Sequence, residues 1–386
     1  MEKREIRERR AEFAVRYGED GDADLYFAPG RVNLIGEHTD YNGGLVLPLA
    51  IAEGTYVLIR AKKSPPARLY SAASGEEAEL DPGRIARRGD WADYARGVLA
   101  FLSQSRGAPP PFEALYFGDL PLGAGLSSSA SLEVVTAVSS ASLGYTLDGE
   151  EAARAAWRAE NEFVGVSCGI MDQYVVALAE VGTVLFLDCG TAAYVHIPFS
   201  LKDTAIVIGH TGVYRSLAAS AYNRRRRECE EALRTISGRI GGREDLSHVT
   251  REELAAARPY LAETAGMRTE HVIEENLRVR EAVRCLEGGD PQGLGRLLNL
   301  SHASLRDLYQ VSSPELDALQ EISQARPGVW GCRMTGAGFG GCVIALVNRE
   351  AVPAYLAKVP GLYGDATGRE PFFIVVNAPS GGARRL

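Results

Sequence analysis

The sequence predicts an α+β protein whose two halves differ in character. Short apolar runs with strand composition fill much of the first half, and segments with helical spacing fill most of the second half. Strands return near the end of the chain. Because strands and helices do not alternate regularly, a doubly wound parallel sheet is not favoured, and mixed sheets with packed helices are expected. The change in character places a boundary near residues 195–215.

The first half opens with a predicted amphipathic helix over residues 2–17, in which Ile6, Phe13 and Val15 are expected to be buried. A strand over residues 25–28 is expected to end at the turn signal Pro29-Gly30. The other predicted elements of this half are strands at 45–51, 55–61, 112–117, 181–189 and 204–209, and helices at 91–102, 127–143 and 148–163.

The second half is predicted to be helical until its last strands. We expect helices at 216–236, 250–263, 268–287, 291–304 and 314–325, and strands at 341–347 and 372–377.

Composition argues against several classes of protein. Fifty Asp and Glu against 42 Lys and Arg give a net charge of −8 and a pI near 5.5, so a large nucleic-acid or anionic-membrane surface is not expected. No apolar stretch approaches the ~20 residues that span a bilayer, and the first residues lack the apolar core of a secretory signal. The six cysteines lack zinc-site spacing, so we expect reduced thiols in a cytoplasmic protein.

A Gly- and Ser-rich segment, PLGAGLSSSAS, covers residues 121–131 between a predicted strand and a predicted helix. Gly123, Ala124 and Gly125 are small enough for backbone N–H groups to approach an anion. The serines at 127–129 come where the helix would offer its unpaired N–H groups. The segment has no Lys and is not a Walker A loop. It predicts either phosphate binding or an ordinary turn with a serine cap.

A second Gly-rich segment, MTGAGFGGC, covers residues 334–342, and Gly336, Gly338 and Gly341 match the pattern GxGxxG. A dinucleotide site requires a helix after this pattern, but the following CVIALV has strand composition. A nicotinamide-dependent oxidoreductase is therefore disfavoured. Close packing against a loop or a ligand, or a tight turn, remains open.

A third segment, residues 28–44, carries many hydrogen-bonding side chains between two apolar strands. A polyhydroxylated ligand needs several such groups to converge, because buried polar partners must be satisfied. A solvated loop is the alternative, and the apolar flanks make it less attractive. The polar side chains are those of Arg31, Asn33, Glu37, His38 and Asp40.

Asp172 follows a glycine and two apolar residues in CGIMDQ, so it is not expected to be freely solvated. A buried carboxylate requires a charged partner, and Arg31 is the candidate. The alternative is that Asp172 caps the helix that follows it.

Two features are interpreted as structural. The basic run at 224–227 is followed by acidic residues at helical spacing, which is typical of a salt-bridged solvent face. Trp91, Trp157 and Trp330 are isolated in the sequence and are interpreted as packing residues.

Taken together, these segments resemble the GHMP small-molecule kinases. GRVNLIGEHTDYNGG is similar to the signature of the branch that phosphorylates galactose, PLGAGLSSSAS to the family phosphate loop, and RMTGAGFGG to its third motif. The resemblance implies a two-lobed α+β kinase with its active site between an N-terminal lobe, 1–205, and a helix-rich C-terminal lobe, 206–386. It also implies Mg²⁺-dependent transfer of a phosphoryl group from ATP to the anomeric hydroxyl of galactose.

The resemblance carries roles to particular positions. Asp172 falls on the catalytic position and Arg31 on that of its partner. The sugar-contacting positions fall on Glu37, His38, Thr39, Asp40, Gly169 and Tyr222. The Mg²⁺-ligand positions fall on Ser129 and Glu160. The phosphate cradle falls on Gly123, Ala124, Gly125, Leu126, Ser127, Ser128 and Ser129, and a nucleotide-contacting position falls on Ser71.

Four positions depart from the usual family pattern, and two of these departures lie near Tyr222. They leave open the same chemistry on another sugar, namely N-acetylgalactosamine, galacturonate or arabinose. A sugar sensor without catalysis is a further alternative, although neither the phosphate loop nor Asp172 is damaged. The expected partners are a sugar and Mg·ATP, with no nucleic acid and no membrane, and a monomer is plausible. The departures are Ala221, the segment 210–215, Leu308 and Ala337.

Overall fold

The computed structural model describes residues 3–18, 23–121, 123–214 and 218–386. Among these residues the helices are α1 (Lys3–Tyr17), α2 (Asp93–Arg106), α3 (Ser128–Ser139), α4 (Gly149–Arg158), α5 (Met171–Leu178), α6 (Ala218–Ile240), α7 (Arg251–Ala257), α8 (Glu263–Gly288), α9 (Pro291–Ser304), α10 (Pro314–Gln324) and α11 (Val352–Thr367). The strands are β1 (Asp24–Asn33), β2 (Leu45–Val46), β3 (Pro48–Ala61), β4 (Ala67–Ser71), β5 (Glu76–Leu80), β6 (Phe112–Gly118), β7 (Thr183–Asp188), β8 (Tyr194–Pro198), β9 (Thr204–His210), β10 (Val329–Thr335), β11 (Cys342–Asn348), β12 (Phe372–Val376) and β13 (Arg384–Arg385).

The first sheet has the strand order β13-β1-β3-β6-β4-β5 and is antiparallel except where β4 pairs with β6. Side chains alternate between its faces along β3, so both faces are buried. Val57 and Ile59 pack in the core shared with α2, α3, α4 and α5. Tyr56 and Leu58 pack on the other face, against Phe13 of α1.

The second sheet has the order β10-β11-β9-β12 and is antiparallel throughout. Its central strand β11 also alternates: Val343 and Ala345 join the core with α10 and α11, whereas Ile344 and Leu346 face α8 and α9. That second core includes Val32 at the end of β1, so it joins the two halves of the chain. A small third sheet, β2-β7-β8, lies beside it.

The predicted α+β class with mixed sheets and packed helices is confirmed. The hairpin β10–β11 also confirms that a strand follows the second Gly-rich segment, although β10 itself was not expected. Two local predictions are wrong. Strand β1 does not end at Pro29-Gly30 but runs through it with a shift in register, and Val15 is 90% exposed on the outer face of α1.

The predicted division of the chain after residue 205 stays a prediction. The last described strand does not remain with the second sheet, because β13 crosses back and pairs with β1. Ser380 also bridges to Ala50 of β3. A single cut in the chain therefore does not assign these last residues to the sheet that they join.

The described helices include none with the length and apolar character required to cross a bilayer.

Candidate active site

A cleft of about 490 Å³ lies where β1, the start of α3, the start of α5, α6 and the β10–β11 turn meet. Most of the predicted site residues line it. They are Arg31, Glu37, His38, Asp40, Gly123, Gly125, Ser127, Ser128, Ser129, Glu160, Gly169, Asp172 and Tyr222. The turn between β10 and β11 adds Gly336 and Ala337, which the sequence analysis had not assigned to the site.

Four predicted residues lie elsewhere. Thr39 is fully buried, and its hydroxyl is next to the carbonyl oxygens of Gly36 and Leu45, at 2.8 and 2.7 Å. Ala124 and Leu126 belong to the apolar core beneath the Gly-rich loop. Ser71 lines a separate, neighbouring pocket rather than the cleft. Direct cleft contact is therefore not supported for these four, because their side chains face the core or the second pocket.

Asp172 lies in the first turn of α5, and the pairing with Arg31 expected from the sequence is confirmed. Arg31 donates from Nε to Oδ1 at 2.7 Å and from Nη2 to Oδ2 at 2.5 Å. Ser127 donates its hydroxyl to the same Oδ2 at 2.5 Å. Burial disfavours the charge on Arg31, but Asp172 outweighs this effect and raises the pKa of Arg31. The residue that caps α5 is Ile170, so Asp172 is not the cap.

The Gly-rich loop leads directly into α3. Gly123 and Gly125 have positive φ, which glycine adopts without strain. Ser127, at the N-cap of α3, also has a left-handed φ of 64°, and its side chain makes no capping bond in the described structure because it binds Asp172. The first N–H groups of α3 are thus left for an anion.

The opposite wall of the cleft comes from the segment after β1. His38 has a left-handed φ of 61°, its Nδ1 is 2.9 Å from the hydroxyl of Tyr41, and its ring lies beside that of Tyr222. A Cβ atom at Gly169 would lie 2.0 Å from Oδ2 of Asp40, so only glycine allows Asp40 its position. Burial, together with the charges of Asp172 and Glu37, raises the pKa of Asp40 to about 7.

Glu160 and Ser129 both line the cleft, and the Ser129 hydroxyl is close enough to Glu160 to act on the pKa of its carboxyl. Gln173 donates to Oε2 of Glu160 at 2.6 Å. Burial and the nearby Asp172 raise the pKa of Glu160, which indicates a carboxylate with too little positive charge around it. The described residues hold no group of three or more His, Cys, Asp or Glu arranged for a metal ion.

The second pocket, of about 250 Å³, adjoins the cleft at the start of α3. Ser128 and Ser129 line both spaces. Trp91 and Tyr94 form an aromatic wall, and the indole Nε1 of Trp91 is buried with no hydrogen-bond partner among the described residues. The interpretation of Trp91 as a packing residue is thus incomplete, because it also lines a pocket.

Models of known families match most of the regions that form this site. The galactokinase galactose-binding signature matches residues 11–61, the GHMP kinases N terminal domain matches 93–180, and the GHMP kinases C terminal model matches 279–363. The segments that line the cleft from β1, α3, α5 and their loops fall within the first two matches.

Relatives cover nearly the whole chain. A galactokinase from Fusobacterium nucleatum is 39% identical over 372 residues, which are 94% of this chain and 95% of the relative. The crystal structure of Lactococcus lactis galactokinase complexed with galactose has a TM-score of 0.94 and 37% identity, and covers 99% of this chain and 100% of that chain. Methanococcus jannaschii mevalonate kinase, at 19% identity and a TM-score of 0.68 over 95% of this chain and 99% of that chain, shares the fold alone. This chain belongs to the galactokinase family of the GHMP kinases.

Proposed function

We propose that this chain transfers the γ-phosphoryl group of ATP to the anomeric hydroxyl of galactose, giving galactose 1-phosphate and ADP. Membership of the galactokinase family supports the reaction. The observation that carries the assignment of residues is the position of Asp172. Its carboxylate is held by Arg31 between an open helix N-terminus and a wall of hydrogen-bonding side chains.

The phosphates of ATP would lie over the start of α3, where free N–H groups and the positive end of the helix dipole favour negative charge. The base would occupy the second pocket, because this pocket adjoins the same helix end and has an aromatic wall. We expect Trp91→Ala to raise the KM for ATP about tenfold, since one stacking contact is worth roughly 1–3 kcal/mol. The KM for galactose should be unchanged in the same steady-state assay.

Ser129 and Glu160 fit a Mg²⁺ ion, because a hydroxyl and a carboxylate lie side by side and Mg²⁺ prefers oxygen ligands. Two protein donors suffice for an ion that keeps several waters and binds substrate phosphates. When bound, Mg²⁺ would neutralise charge on the phosphates. A cation here would also offset the burial that raises the pKa of Glu160.

Asp172 would orient the attacking hydroxyl and accept its proton. Phosphoryl transfer has a loose transition state in most analyses, so the hydroxyl needs little deprotonation early, and a carboxylate paired with Arg31 is a sufficient base. Arg31 would also stabilise charge that develops on the transferred group. The hydroxyl of Ser127 donates the third hydrogen bond to the carboxylate of Asp172, which leaves this carboxylate little freedom to rotate.

Glu37, His38 and Asp40, with Tyr222 and Gly169, would bind the sugar. Carboxylates accept hydrogen bonds from hydroxyl groups, and converging polar groups reject sugars that leave them unpaired. Among the described residues that line the cleft, Arg31 is the one arginine or lysine, and it is paired with Asp172. A neutral sugar is therefore favoured over a uronate. A cytoplasmic location is part of this proposal, and it is supported by the six cysteines, all of them described in the structure, none of which forms a disulfide.

The first test is ADP release with Mg·ATP and a panel of galactose, N-acetylgalactosamine, galacturonate, arabinose and glucose, with Asp172→Asn as the blank. A signal that is strongest with galactose and absent from the variant is expected. A signal with another sugar only would keep the phosphotransfer and overturn the sugar. No signal with any sugar, despite measurable ATP binding, would overturn the kinase assignment in favour of a sensor.

A further inference from the structure

The second Gly-rich segment begins at the end of β10 and contacts Glu37, and the function described above gives this contact no role. Gly336 and Ala337 line the cleft, and Thr335, just before them, donates its hydroxyl to the Glu37 carboxylate. Arg333 belongs to this stretch and is fully buried. A guanidinium is costly to bury, so what surrounds it needs an explanation.

Three hydrogen bonds and one charge contact fix the carboxylate of Glu37. Its Oε1 accepts from the hydroxyl of Thr335 at 3.0 Å and from the backbone N–H of Gly336. Its Oε2 accepts from Nδ2 of Asn33 at 2.9 Å. Nη2 of Arg333 lies 3.3 Å from Oε1. Oε1 is therefore contacted by three protein donors, whereas Oε2 accepts one hydrogen bond and keeps further acceptor capacity.

The hydroxyl of Thr335 has a single proton and two acceptors in reach, namely Oε1 of Glu37 and the carbonyl oxygen of Asn33 at 3.1 Å. The charged oxygen is the stronger acceptor, so the proton goes to Glu37. The backbone N–H of Asn33 then donates to the Thr335 oxygen at 3.2 Å. This chain of bonds joins the end of β1 to the end of β10.

Arg333 is oriented by the same segment of the chain. Its Nη1 donates to the carbonyl oxygens of Asn33 and Leu34, at 2.9 Å each. Its Nε and Nη2 make no hydrogen bond within the described residues, which leaves Nη2 directed by charge toward Glu37. The next turn residue, Ala337, offers its carbonyl oxygen 3.2 Å from Nε2 of His38.

We propose that Arg333 and Thr335 are positioning residues for sugar recognition, which fix the Glu37 carboxylate so that Oε2 alone is presented to a sugar hydroxyl. This inference rests on the proposed role of Glu37 as a sugar ligand. A carboxylate held in one orientation distinguishes sugars that differ in the direction of one hydroxyl, because the wrong epimer leaves a buried acceptor unpaired. The second Gly-rich segment thereby serves the sugar rather than the nucleotide.

The test is the exchange Thr335→Val, which keeps the shape of the side chain and removes the hydroxyl. We expect the KM for galactose to rise about tenfold to a hundredfold, as for one lost hydrogen bond to a charged group, with kcat and the KM for ATP changed less than about twofold. Selectivity for galactose over glucose should fall. Thr335→Ser, which restores the hydroxyl, should return the KM to near the wild-type value.

A double-mutant cycle distinguishes positioning from a general structural role. If Thr335 acts through Glu37, Thr335→Val should have no further effect on the galactose KM in a Glu37→Gln background. If Thr335→Val raises the galactose KM by the same factor in the wild-type and Glu37→Gln backgrounds, the proposal is overturned. Arg333→Met is measured in the same way, and Arg60→Met is its control. Arg60 is also a buried arginine paired with a glutamate, Glu113, but it lies in the first sheet away from the cleft.

The control variant should lower the melting temperature and leave the galactose KM unchanged. If Glu37→Gln itself leaves galactose binding unchanged by calorimetry, the proposed sugar site fails, and this inference fails with it. If Glu37→Gln weakens binding but Thr335→Val does not, the inference alone is wrong. Thr335→Val decides the result even if Arg333→Met does not fold.

Discussion

Both oxygens of Asp172 are occupied by donors from two other segments of the chain. Arg31 comes from β1 and Ser127 from the N-cap of α3, and each makes a short bond to the carboxylate. Ser127 adopts a left-handed backbone conformation, and its side chain does not make the capping hydrogen bond that serine ordinarily makes at a helix N-terminus. The contact that fixes the Asp172 carboxylate therefore lowers the local stability at the start of α3.

Replacement of this carboxylate should separate binding from turnover. Asp172→Asn keeps the size of the side chain and removes its basicity, so kcat should fall about a thousandfold, within the range for a lost general base. Galactose affinity measured by calorimetry should change little, because the sugar-binding groups lie on the opposite wall. Turnover near the wild-type value would remove Asp172 from the catalytic step.

Asp40 should make sugar binding depend on pH. Its pKa of about 7 means that the free protein gains a proton there as the pH falls through neutrality, and a protonated carboxyl loses acceptor capacity. We expect the galactose KM to rise about tenfold from pH 8 to pH 6, in steady-state assays with saturating Mg·ATP. Asp40→Asn should bind more weakly and show a flat profile over this range. A flat wild-type profile would contradict the assignment.

Individual residues were predictable where burial forces a pairing. Asp172 and Arg31 could be matched from the sequence because a carboxylate among apolar residues needs a cation. Trp91 was not recognised as a pocket residue, since an aromatic side chain lining a pocket and one lining a core have the same local sequence. Ala124 and Leu126 lie within a binding motif, yet their side chains serve the core because they point away from the bound face of the loop.

At the scale of elements, the cleft depends on the ends of strands and helices rather than on their middles. β1 contributes Arg31 near its end, α3 and α5 each contribute their first turn, and the turn that follows β10 contributes Gly336. Side chains in the middle of these elements pack in the cores, and only the ends are free to face a ligand.

Gly169 shows how closely these ends approach each other. Gly169→Ala would place a methyl group 2.0 Å from Oδ2 of Asp40, so Asp40 must move. We expect at least a tenfold rise in the galactose KM, with the ATP KM unchanged. Gly238→Ala in α6 is the matched control, because a Cβ there meets no atom within 4 Å. It should leave kinetics unchanged and stabilise the helix by about 0.5–1 kcal/mol in thermal unfolding. Equal kinetics for the two variants would show that Asp40 tolerates displacement.

β10 and α11 are two of the elements that the sequence analysis did not predict, and the physical reasons can be identified. β10 has the sequence VWGCRMT, in which a buried arginine and a glycine interrupt the alternation that marks a strand. α11 contains Pro360 within its span, and glycines at 361 and 364 follow, which together are typical of a loop. Packing of Tyr355, Val359 and Tyr363 in the core that the second sheet forms with α10 and α11 outweighs those local preferences.

Across the whole molecule, one core joins the halves and the charges of the cleft oppose folding. The core that includes Val32, Ile344 and Leu298 draws on β1, β11 and α9, so the two sheets cannot separate without exposing apolar surface. The acidic groups of the cleft are brought together by this packing. Asp40 and Glu160 both have raised pKa values as a result.

This arrangement predicts a fall in stability as the pH rises. The pKa of Asp40 is about 7 in the folded state and near 3.8 when unfolded, so between these values only the folded protein holds the proton. The free energy of unfolding therefore decreases from about pH 4 to pH 7. We expect the melting temperature of Asp40→Asn, relative to wild type, to increase over this range by several degrees in calorimetry. If the melting temperatures of the two proteins change with pH in the same way, the protonation of Asp40 does not affect stability and this prediction is contradicted.

The return of β13 to β1 has a consequence for synthesis on the ribosome. Asp24 is paired with Arg385, which is 361 residues later in the chain. The ribosome adds about 5–20 residues per second, so roughly 20–70 seconds pass between the synthesis of β1 and the synthesis of its partner β13. During that interval the strand that carries Arg31 has an unpaired edge, which is a site for mispairing with other chains. The nascent chain is therefore most exposed to aggregation at the same strand on which phosphoryl transfer later depends.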